Sequence, residues 1–432
     1  MTSLTDHPRA SSHADSDELL PPLVPLLRRI VAASDPAFIA DLDLGDQQSE
    51  DALRQALFPV TQTYAYLNHA AVGPAPASVT WATRQAFDAL SHRGSLEMEA
   101  REPEEAARRR FARLINVAPE SIAFTKNVSD SFMTVAQGMD WRPRDNIVTA
   151  TCEFPSNVYP WLNLAEQGVE TRFAQSEDAR LPLERIAALI DERTRLVSVS
   201  LVEFGTGMRN DVAAIARLAH AAGALCAVDG IQGLGALRLD ATAAELDFVG
   251  SGSVKWLLSP AQIGLLYVRP SVLPMLRVAR RGWKSVATPF DFFNYDQPLR
   301  VGAARLEGGS NNWLSLVALE AALALLESAD AEQVERRALG LADRLRAGLR
   351  ERGYTVTSPD APAERSQVVL FRWGEQADEA AATAVVARLA NEARVTISAR
   401  NGLMRVSPHF YSTEDDLERL LDSLDRLRDG AS

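Results

Sequence analysis

Cysteine is scarce in this chain. Only Cys152 and Cys226 occur among its 432 residues, and both lie in apolar, strand-like stretches. A disulfide framework is therefore not expected, and a reducing compartment fits this composition. The six histidines show none of the spacings that bind metals, so the sequence predicts no metal site.

Long apolar runs and an excess of basic charge are also missing. No stretch approaches the roughly 20 consecutive apolar residues that a membrane-spanning helix needs, and the polar segment from Met1 to Asp17 has no apolar signal core. The formal net charge of −12 disfavours a nucleic-acid partner, because phosphate binding requires a basic face. We expect a cytoplasmic protein that binds neither a membrane nor nucleic acid.

What the chain does have is a hydrophobic content of 47%, which suffices for a large core and favours two domains. From about residue 65, short apolar runs alternate with amphipathic helical segments. Such alternation predicts an α/β fold whose mainly parallel sheet has helices on both faces. The strands predicted in this part are Ile122–Thr125, Asn146–Thr149, Leu196–Ser200, Leu225–Val228 and Leu265–Val268, and a helix is predicted at Val212–Ala222.

Helices dominate from Leu314 onward and indicate a second, smaller α+β domain. Its predicted helices are Leu314–Leu326, Gln333–Arg350, Asp378–Glu392 and Glu414–Leu427, and its predicted strands are Val368–Trp373 and Met404–Val406. We therefore divide the chain into a disordered tail (1–16), an N-terminal arm that packs on the small domain (17–61), a large domain (62–315) and a small C-terminal domain (316–432).

Asp229 and Lys255 each follow an apolar, strand-like run, and they lie 26 positions apart. The carboxyl ends of parallel strands form the edge at which open α/β sheets bind ligands. A lysine at that edge can bind pyridoxal phosphate covalently, while a carboxylate pairs with the pyridinium nitrogen and makes the ring an electron sink. Taken singly, such residues are more often a helix-capping aspartate and a lysine on a solvated loop.

A predicted strand, a turn and a helix start follow one another around Val128 and Ser129. A helix N-terminus offers free backbone N–H groups and a favourable dipole to a phosphate, and the Ser129 hydroxyl adds a donor. The alternative is an ordinary helix cap at Ser129 or Asp130.

Three further residues lie near the same predicted edge of the sheet. Phe154 follows the strand that ends near Thr151 and can stack on a pyridine ring, although an aromatic residue in such a place is usually part of the core. Gln232 either donates to the phenolic oxygen of the cofactor or lies in solvent. Ser253 either reaches the phosphate or shapes the turn before Lys255.

Six motifs, in this order, resemble the class V aminotransferase family, the fold-type I enzymes that include cysteine desulfurases, isopenicillin N epimerase and kynureninase. They are Tyr66-Leu67-Asn68-His69-Ala70-Ala71, Phe124-Thr125-Lys126-Asn127-Val128-Ser129, Asp229-Gly230-Ile231-Gln232-Gly233, Ser251-Gly252-Ser253-Val254-Lys255, Gly264-Leu265-Leu266-Tyr267 and Arg305-Leu306-Glu307-Gly308-Gly309-Ser310. The resemblance extends from about Tyr66 to Leu427. It implies the fold-type I architecture with a mainly parallel sheet of the seven-stranded type, pyridoxal 5'-phosphate as cofactor, and a homodimer with shared active sites.

The resemblance also implies roles for single residues. Lys255 would bind the cofactor and then move the proton of the substrate Cα, Asp229 would pair with the ring nitrogen, and Gln232 would contact the phenolic oxygen. The phosphate contacts that it implies are Val128, Ser129, Ser253 and, from the neighbouring subunit, Ser310.

Arg405 lies in a segment that looks like the family's clamp for the substrate α-carboxylate, a role suited to the parallel donors of a guanidinium. The alternative is a surface arginine on a short strand. Asn68 and Ala70 resemble the loop that borders the substrate. Between them, His69 is either a catalytic acid or base or a structural histidine.

Three features depart from the family. Cysteine desulfurases carry a nucleophilic cysteine shortly before the carboxylate-binding arginine, whereas no cysteine lies between Arg394 and Arg405, so a persulfide relay is not expected. The residue before the lysine is Val254 where many relatives have His or Tyr, which removes one phosphate contact. Glu203 and Phe204 replace a Ser-Asn pair, and we expect Glu203 to bind a substrate amine or hydroxyl group.

Together these features predict a pyridoxal phosphate-dependent enzyme that acts at the Cα of an amino acid. We favour a C–S β-lyase of cysteine-like or cysteine S-conjugate substrates, with an aminotransferase or an epimerase as alternatives because all three reactions share one carbanion. A non-catalytic cofactor-binding regulator is disfavoured by the joint presence of Asp229, Lys255 and Arg405. The basic stretch from Arg277 to Lys284 either attracts an anionic substrate or is a solvated charge run.

Overall fold

The computed structural model describes residues 20–42, 44, 49–96, 103–375 and 378–430, and the tail predicted to be disordered, residues 1–16, lies outside them. The strands are β1 (Ala65–Tyr66), β2 (Ile122–Thr125), β3 (Asn146–Ala150), β4 (Glu170–Ala174), β5 (Thr194–Ser200), β6 (Leu225–Asp229), β7 (Phe248–Gly252), β8 (Gly264–Val268), β9 (Val369–Phe371), β10 (Val395–Thr396), β11 (Ser398–Arg400) and β12 (Leu403–Val406).

The described α-helices are α1 (Leu23–Ala33), α2 (Pro36–Asp41), α3 (Glu50–Leu57), α4 (Ala77–Arg93), α5 (Pro103–Leu114), α6 (Val128–Gly138), α7 (Tyr159–Leu162), α8 (Leu183–Ala187), α9 (Val212–Ala221), α10 (Trp313–Ala329), α11 (Ala331–Glu351), α12 (Glu379–Arg388) and α13 (Glu414–Asp429). Short 3-10 helices occupy Pro59–Gln62, Pro119–Ser121, Pro155–Asn157, Asn163–Gln167, Leu273–Met275, Trp283–Ser285 and Ala303–Leu306, and a π-helical turn occupies Leu389–Ala393.

Seven strands form the central sheet in the order β2-β8-β7-β6-β5-β3-β4. The five neighbouring strands from β7 to β4 run parallel, whereas β8 pairs antiparallel with both β7 and β2. The mainly parallel sheet expected from the sequence is therefore present, with two antiparallel pairings at one end. Because β3, β5, β6 and β7 are parallel, their carboxyl ends meet at one edge of the sheet.

Helices cover both faces of this sheet. Val228 and Val249 belong to the core on one face, whereas their neighbours Ala227 and Phe248 belong to the core on the other. Successive residues of a strand alternate between faces, so a strand that is buried on both faces must be mainly apolar. This requirement explains the uninterrupted apolar runs of the sequence.

A second core lies in the C-terminal part of the chain. Three antiparallel strands in the order β11-β12-β9 pack with α11 and α12, α13 packs against α11, and buried Leu345, Phe371 and Leu420 share one cluster. β1 pairs in parallel with β10. The segment that precedes the central sheet is thereby joined to this C-terminal unit.

The N-terminal arm contacts both cores. α1 lies against α10, and its residues Leu26 and Leu27 belong to the core of the central sheet. In α3, Arg54 pairs with the Asp416 carboxylate and donates through Nε to the carbonyl oxygen of Tyr411 at 2.8 Å. The arm therefore bridges the two parts of the chain, and the domain boundaries drawn from the sequence stay a prediction.

One predicted helix is divided in the structure. The segment from Asp378 to Glu392 consists of α12 followed by the π-helical turn, which ends at Arg394 in a left-handed conformation. Asp378 is not part of the helix but caps it, since its carboxylate accepts from the N–H groups of Ala380 and Ala381.

Within the described residues, no helix combines the length and the apolar character that crossing a lipid bilayer requires. No cluster of three or more His, Cys, Asp or Glu side chains in the same part of the chain is arranged to hold a metal ion.

Candidate active site

Asp229, Lys255 and Phe154 come together at the shared edge of the parallel strands. Asp229 is the last residue of β6, and Lys255 follows the neighbouring strand β7 by three residues. Phe154 lies four residues beyond the end of β3. The Lys255 Nζ atom is 5.5 Å from the centroid of the Phe154 ring, so an amine, a carboxylate and an aromatic face border one site.

The Asp229 carboxylate is buried and only half satisfied. Oδ1 accepts from the N–H of Ile231 at 2.9 Å, whereas Oδ2 has no hydrogen-bond partner. Burial raises the pKa of Asp229 to about 6, and the Lys255 charge opposes that rise. A buried carboxylate oxygen without a donor is costly, and a protonated ring nitrogen would satisfy it.

Lys255 is half-buried, and its amine is easier to deprotonate than that of an exposed lysine. Burial, helped by the charges of Arg405 and Arg400 and opposed by that of Asp229, lowers the pKa of Lys255 to about 8. A lowered pKa leaves more of the amine in the neutral form that acts as a nucleophile or a base.

The loop that ends at Gly73 holds the Lys255 turn in place. The N–H of Gly73 donates to the carbonyl oxygen of Val254 at 2.8 Å. A Cβ atom at Gly73 would lie 2.0 Å from the carbonyl oxygen of Lys255, so only glycine allows this approach. Nothing in the motif around Lys255 itself indicates this contact.

Phe154 is 39% exposed, so it does not have the core position that is usual for phenylalanine. Its ring meets that of Phe204 edge-to-face, with 5.1 Å between the centroids. The aromatic ring of Phe154, beside the Lys255 amine, is therefore accessible to a ligand, and its contact with the Phe204 ring supports its position.

α6 begins at Val128, and its cap is Asn127 rather than Ser129 or Asp130: Asn127 Oδ1 accepts from the N–H of Asp130 at 2.9 Å. The N–H groups of the first turn have no partner within the helix, which suits a phosphate. The Ser129 hydroxyl donates to the Ser156 hydroxyl at 2.7 Å. Ser253 Oγ donates to the carbonyl oxygen of Pro260 and so shapes the turn.

Gln232 is buried and joins two loops of the site. Its Nε2 donates to the carbonyl oxygen of Ala70, and its Oε1 accepts from Nε1 of Trp256, both at 3.0 Å. One hydrogen of Nε2 stays unused, so Gln232 retains a donor for a phenolic oxygen. Nothing in the sequence singles out Trp256, although it directly follows Lys255.

His69 is fully buried, and both of its ring nitrogens are engaged. Nδ1 lies 3.0 Å from the carbonyl oxygen of Ser407, and Nε2 lies 2.7 Å from the hydroxyl oxygen of Tyr411. Burial and the neighbouring His409 lower the pKa of His69 well below its usual value. The ring is therefore neutral, donates through Nδ1 and accepts at Nε2, which supports the structural alternative over acid-base catalysis.

The residues on either side of His69 attach the same loop to the C-terminal unit. Asn68 forms an isolated β-bridge with Ser407, and its buried Oδ1 has no donor. The N–H of Ala70 donates to the Ser407 hydroxyl at 3.0 Å. Ser407 and Tyr411, like Trp256, are positioning residues that the sequence alone does not identify.

Arg405 lies on β12 and is almost completely buried. Its Nε donates to Ser398 Oγ at 3.2 Å, and its Nη1 donates to the carbonyl oxygen of Phe204 at 3.1 Å. Nη2 is buried and has no acceptor. A buried guanidinium with an unused donor, close enough to Lys255 to lower its pKa, is suited to binding a carboxylate.

Glu203 belongs to a buried acidic cluster rather than to an open pocket. Oε1 accepts from Nδ2 of Asn210 at 2.7 Å, and Oε2 is buried without a donor. Its acidic neighbours are the Cys152 thiol and the carboxyl groups of Glu153 and Asp229. Burial raises the pKa of Glu203 to about 7 and that of Glu153 well above its usual value, so this cluster retains a proton near neutral pH.

This cluster makes the stability of the apoprotein depend on pH. Glu203 has a pKa of about 7 in the fold against 4.5 for the free side chain, so its stabilising proton is lost as the pH rises through that interval. We compare the change that Glu203→Gln makes in the free energy of unfolding at two pH values. This change should be more stabilising at about pH 8 than at about pH 5, by roughly 1–3 kcal/mol. Urea unfolding at both pH values measures this difference.

The control is Glu166→Gln, because Glu166 is exposed and lies outside this buried cluster. An equal effect of Glu203→Gln at the two pH values would contradict the account of a retained proton.

Ser310 is exposed, and Lys255 does not line the cavity to which Ser310 belongs. Ser310 lines this cavity of about 450 Å³ together with Lys126, Asp130 and Arg280. Much of the basic stretch is neutralised rather than solvated: Arg280 pairs with Asp130 at 2.6 Å, and Lys284 pairs with Glu104 at 2.7 Å. The stretch therefore carries less free charge than its sequence indicates.

The site fits pyridoxal phosphate by its own chemistry. It offers an amine with a lowered pKa at Lys255, an unsatisfied carboxylate oxygen at Asp229, an open ring face at Phe154 and the first-turn N–H groups of α6. These are the groups that a protein needs for an aldehyde carbon, a pyridinium nitrogen, a flat aromatic ring and a phosphate.

Comparisons with known proteins agree with this fit. Residues 65–420 match the family model described as aminotransferase class-V. A probable cysteine desulfurase of Methanothermobacter thermautotrophicus is 28% identical over 88% of this chain and 98% of its own length. An uncharacterised aminotransferase of Bacillus subtilis is 26% identical over 85% of this chain and 95% of its own.

Two solved structures have the same fold. A cysteine desulfurase from Thermococcus onnurineus superposes with a TM-score of 0.78, at 23% identity, over 87% of this chain and 97% of its own. A cystine C–S lyase in complex with its product cysteine persulfide also gives 0.78, at 24% identity, over 85% and 98%. The fold-type I architecture expected from the sequence is thereby confirmed.

Proposed function

The chain belongs to the class V aminotransferase family of pyridoxal phosphate-dependent enzymes, and from this we propose that it is a C–S β-lyase that cleaves cysteine-like substrates or cysteine S-conjugates. The observation that carries the proposal is that the site has the groups for chemistry at the Cα of an amino acid but no cysteine thiol that could accept sulfur. Related proteins with similar chains and folds are named for the cleavage of carbon–sulfur bonds in cysteine and cystine.

Neither cysteine is suited to receive sulfur. Cys226 is fully buried within β6. Burial, together with Glu203 and Glu153, raises the pKa of the Cys152 thiol far above its usual value, and a thiol that stays protonated is a poor nucleophile. A desulfurase would carry its nucleophilic cysteine shortly before the carboxylate-binding arginine. The hairpin of β11 and β12 has Arg400 and Arg405 in this region and no cysteine. Elimination, in which sulfur leaves as a free thiol or sulfide, needs no such acceptor.

Each residue of the site has a separate role in this reaction. Pyridoxal phosphate, when bound, supplies the sink for the electron pair that remains when the Cα–H bond breaks. With the cofactor bound, the Lys255 amine would take the Cα proton, the Asp229 carboxylate would stabilise positive charge at the ring nitrogen, and Arg405 would bind the substrate carboxylate. The Cβ–S bond then breaks with its electron pair on sulfur, and water completes the release of a keto acid, ammonia and the thiol.

A second candidate is an aminotransferase, which the name of the Bacillus subtilis relative favours. Incubation of the holoenzyme with cysteine and its S-conjugates in the absence of a keto acid separates the two. A β-lyase returns the bound cofactor to its starting absorption after each turnover, whereas an aminotransferase changes that absorption once and stops. An epimerase would interconvert the two enantiomers of the substrate and release no thiol.

We also propose that the enzyme is a homodimer. The segment from Phe290 to Val301 presents an aromatic surface: Phe290, Phe292, Phe293 and Tyr295 are between 59% and 90% exposed, and Trp283 adds a partly exposed ring 5.7 Å from that of Phe290. A patch of this kind usually marks an interface. Ser310 is exposed and is therefore accessible to a second copy of the chain.

Charge placed on this aromatic surface should dissociate the dimer. We expect Phe293→Asp to convert most of the protein to monomer at micromolar concentration, because a buried carboxylate without a partner is costly at an interface. Sedimentation equilibrium measures the change, and Leu183→Asp on α8 is the control. A monomeric wild-type protein, or a Phe293→Asp dimer of undiminished affinity, would contradict the proposal.

A further inference from the structure

Arg400 lies on the same face of its hairpin as Arg405. β11 and β12 are antiparallel with Ser398 opposite Arg405 and Arg400 opposite Leu403. Opposite residues point to the same side of a sheet, as do residues two apart on one strand. Arg400 and Arg405 are therefore diagonal neighbours, and the hydrogen bond from Arg405 Nε to Ser398 Oγ fixes that face.

Both guanidinium groups lack a carboxylate partner in the part of the chain that the structure describes. Within the described residues, neither Arg400 nor Arg405 forms an ion pair, whereas arginines elsewhere in the chain, such as Arg108 and Arg110, pair with several glutamates. Nη1 of Arg400 donates to the carbonyl oxygen of Ala399 at 2.6 Å, and Nη2 of Arg405 has no acceptor. Two partly or fully buried positive charges without a counter-ion are unfavourable.

These two charges act on the site itself. Burial is the main cause that lowers the pKa of Lys255 and that of Arg405; Arg405 and Arg400 add to it at Lys255, and Arg400 adds to it at Arg405. Three cationic groups thus share one region, and among the residues that the structure describes it is the Asp229 carboxylate that opposes the Lys255 charge. An α-carboxylate needs one guanidinium for a bidentate contact. An amino acid with a neutral side chain would therefore leave the second guanidinium unpaired.

We propose that Arg400 binds a second anionic group, so that the substrate is an amino acid whose side chain or sulfur leaving group carries a carboxylate, sulfinate or sulfonate. This inference rests on the proposed function and narrows its substrate class. Arg405 binds the α-carboxylate, and Arg400, beside it on the hairpin, selects the charge at the far end. A substrate with two anionic groups neutralises both arginines at once.

The test compares L-aspartate with L-asparagine, which have nearly the same shape and differ in charge. The dissociation constant of each is measured from the change in absorption of the bound cofactor in the holoenzyme. The wild-type protein should bind aspartate at least about tenfold more tightly than asparagine. Arg400→Gln should remove this preference, and Arg400→Lys, which keeps the charge, should retain part of it.

Arg405→Gln provides a matched comparison, since it should weaken both ligands and leave their ratio nearly unchanged. Equal affinities in the wild-type protein, or a preference that survives in Arg400→Gln, would overturn the inference while the proposed function stands. If no amino acid alters the absorption of the wild-type holoenzyme, the proposed function and this inference both fail.

Discussion

Replacing Lys255 with alanine is expected to lower turnover by at least about 1,000-fold, because the amine is both the covalent anchor of the cofactor and the base at Cα. The chain offers an unusually sharp test, since its only lysines are Lys126, Lys255 and Lys284. Reduction of the holoenzyme with borohydride, followed by peptide mapping, should place the cofactor on Lys255 alone. In Lys255→Ala, neither of the other two should be labelled.

Lys284→Ala is the matched control. Lys284 pairs with Glu104 at 2.7 Å, so its loss removes a lysine and an ion pair without touching the site, and turnover should stay within about twofold. Substantial residual turnover in Lys255→Ala, or label on Lys126 in the wild-type protein, would refute the assignment of the anchor.

Asp229→Asn is expected to reduce turnover by about 100-fold or more, since an amide cannot stabilise positive charge on a pyridine nitrogen. The carboxylate is well placed to stabilise that charge, because it lies at the end of β6, is buried, and has one oxygen with no donor. The variant should still bind the cofactor through Lys255. Its bound cofactor should show an absorption that responds to pH differently from that of the wild-type holoenzyme.

Asp229→Glu keeps the charge and moves it by one methylene, so it should retain more activity than Asp229→Asn. Equal losses in the two variants would show that geometry alone matters at this position. An Asp229→Asn enzyme with wild-type turnover would mean that this carboxylate does not pair with the ring nitrogen.

Much of the fold can be predicted from local sequence. The bounds predicted for β2 are those observed, and the bounds predicted for β3, β6 and β8 differ by one residue each, because a strand buried on both faces must be a short apolar run between polar turns. The π-helical turn at Leu389–Ala393 cannot be predicted in this way, since no spacing of apolar residues distinguishes it from a continued α-helix.

The residues of the candidate site can be predicted from the sequence where they lie at or just after the end of a strand. Asp229 ends a buried strand, Lys255 and Phe154 each follow one by a few residues, and a parallel sheet brings such strand ends together. His69 and Tyr411 lie 342 positions apart in sequence, so nothing local indicates that they share a hydrogen bond. The register that sets Arg400 beside Arg405 likewise appears only once the hairpin is formed.

The central claim, a C–S β-lyase, is tested most directly by counting products in the absence of any keto-acid acceptor. Purified holoenzyme is incubated with cysteine S-conjugates, among them one whose leaving group carries a carboxylate, and keto acid and thiol are quantified per active site. The account predicts equal amounts of both that exceed the enzyme by many turnovers, with the cofactor absorption unchanged at the end. At most one equivalent of keto acid per site, with no thiol released, would contradict it, and a full single equivalent would identify an aminotransferase instead.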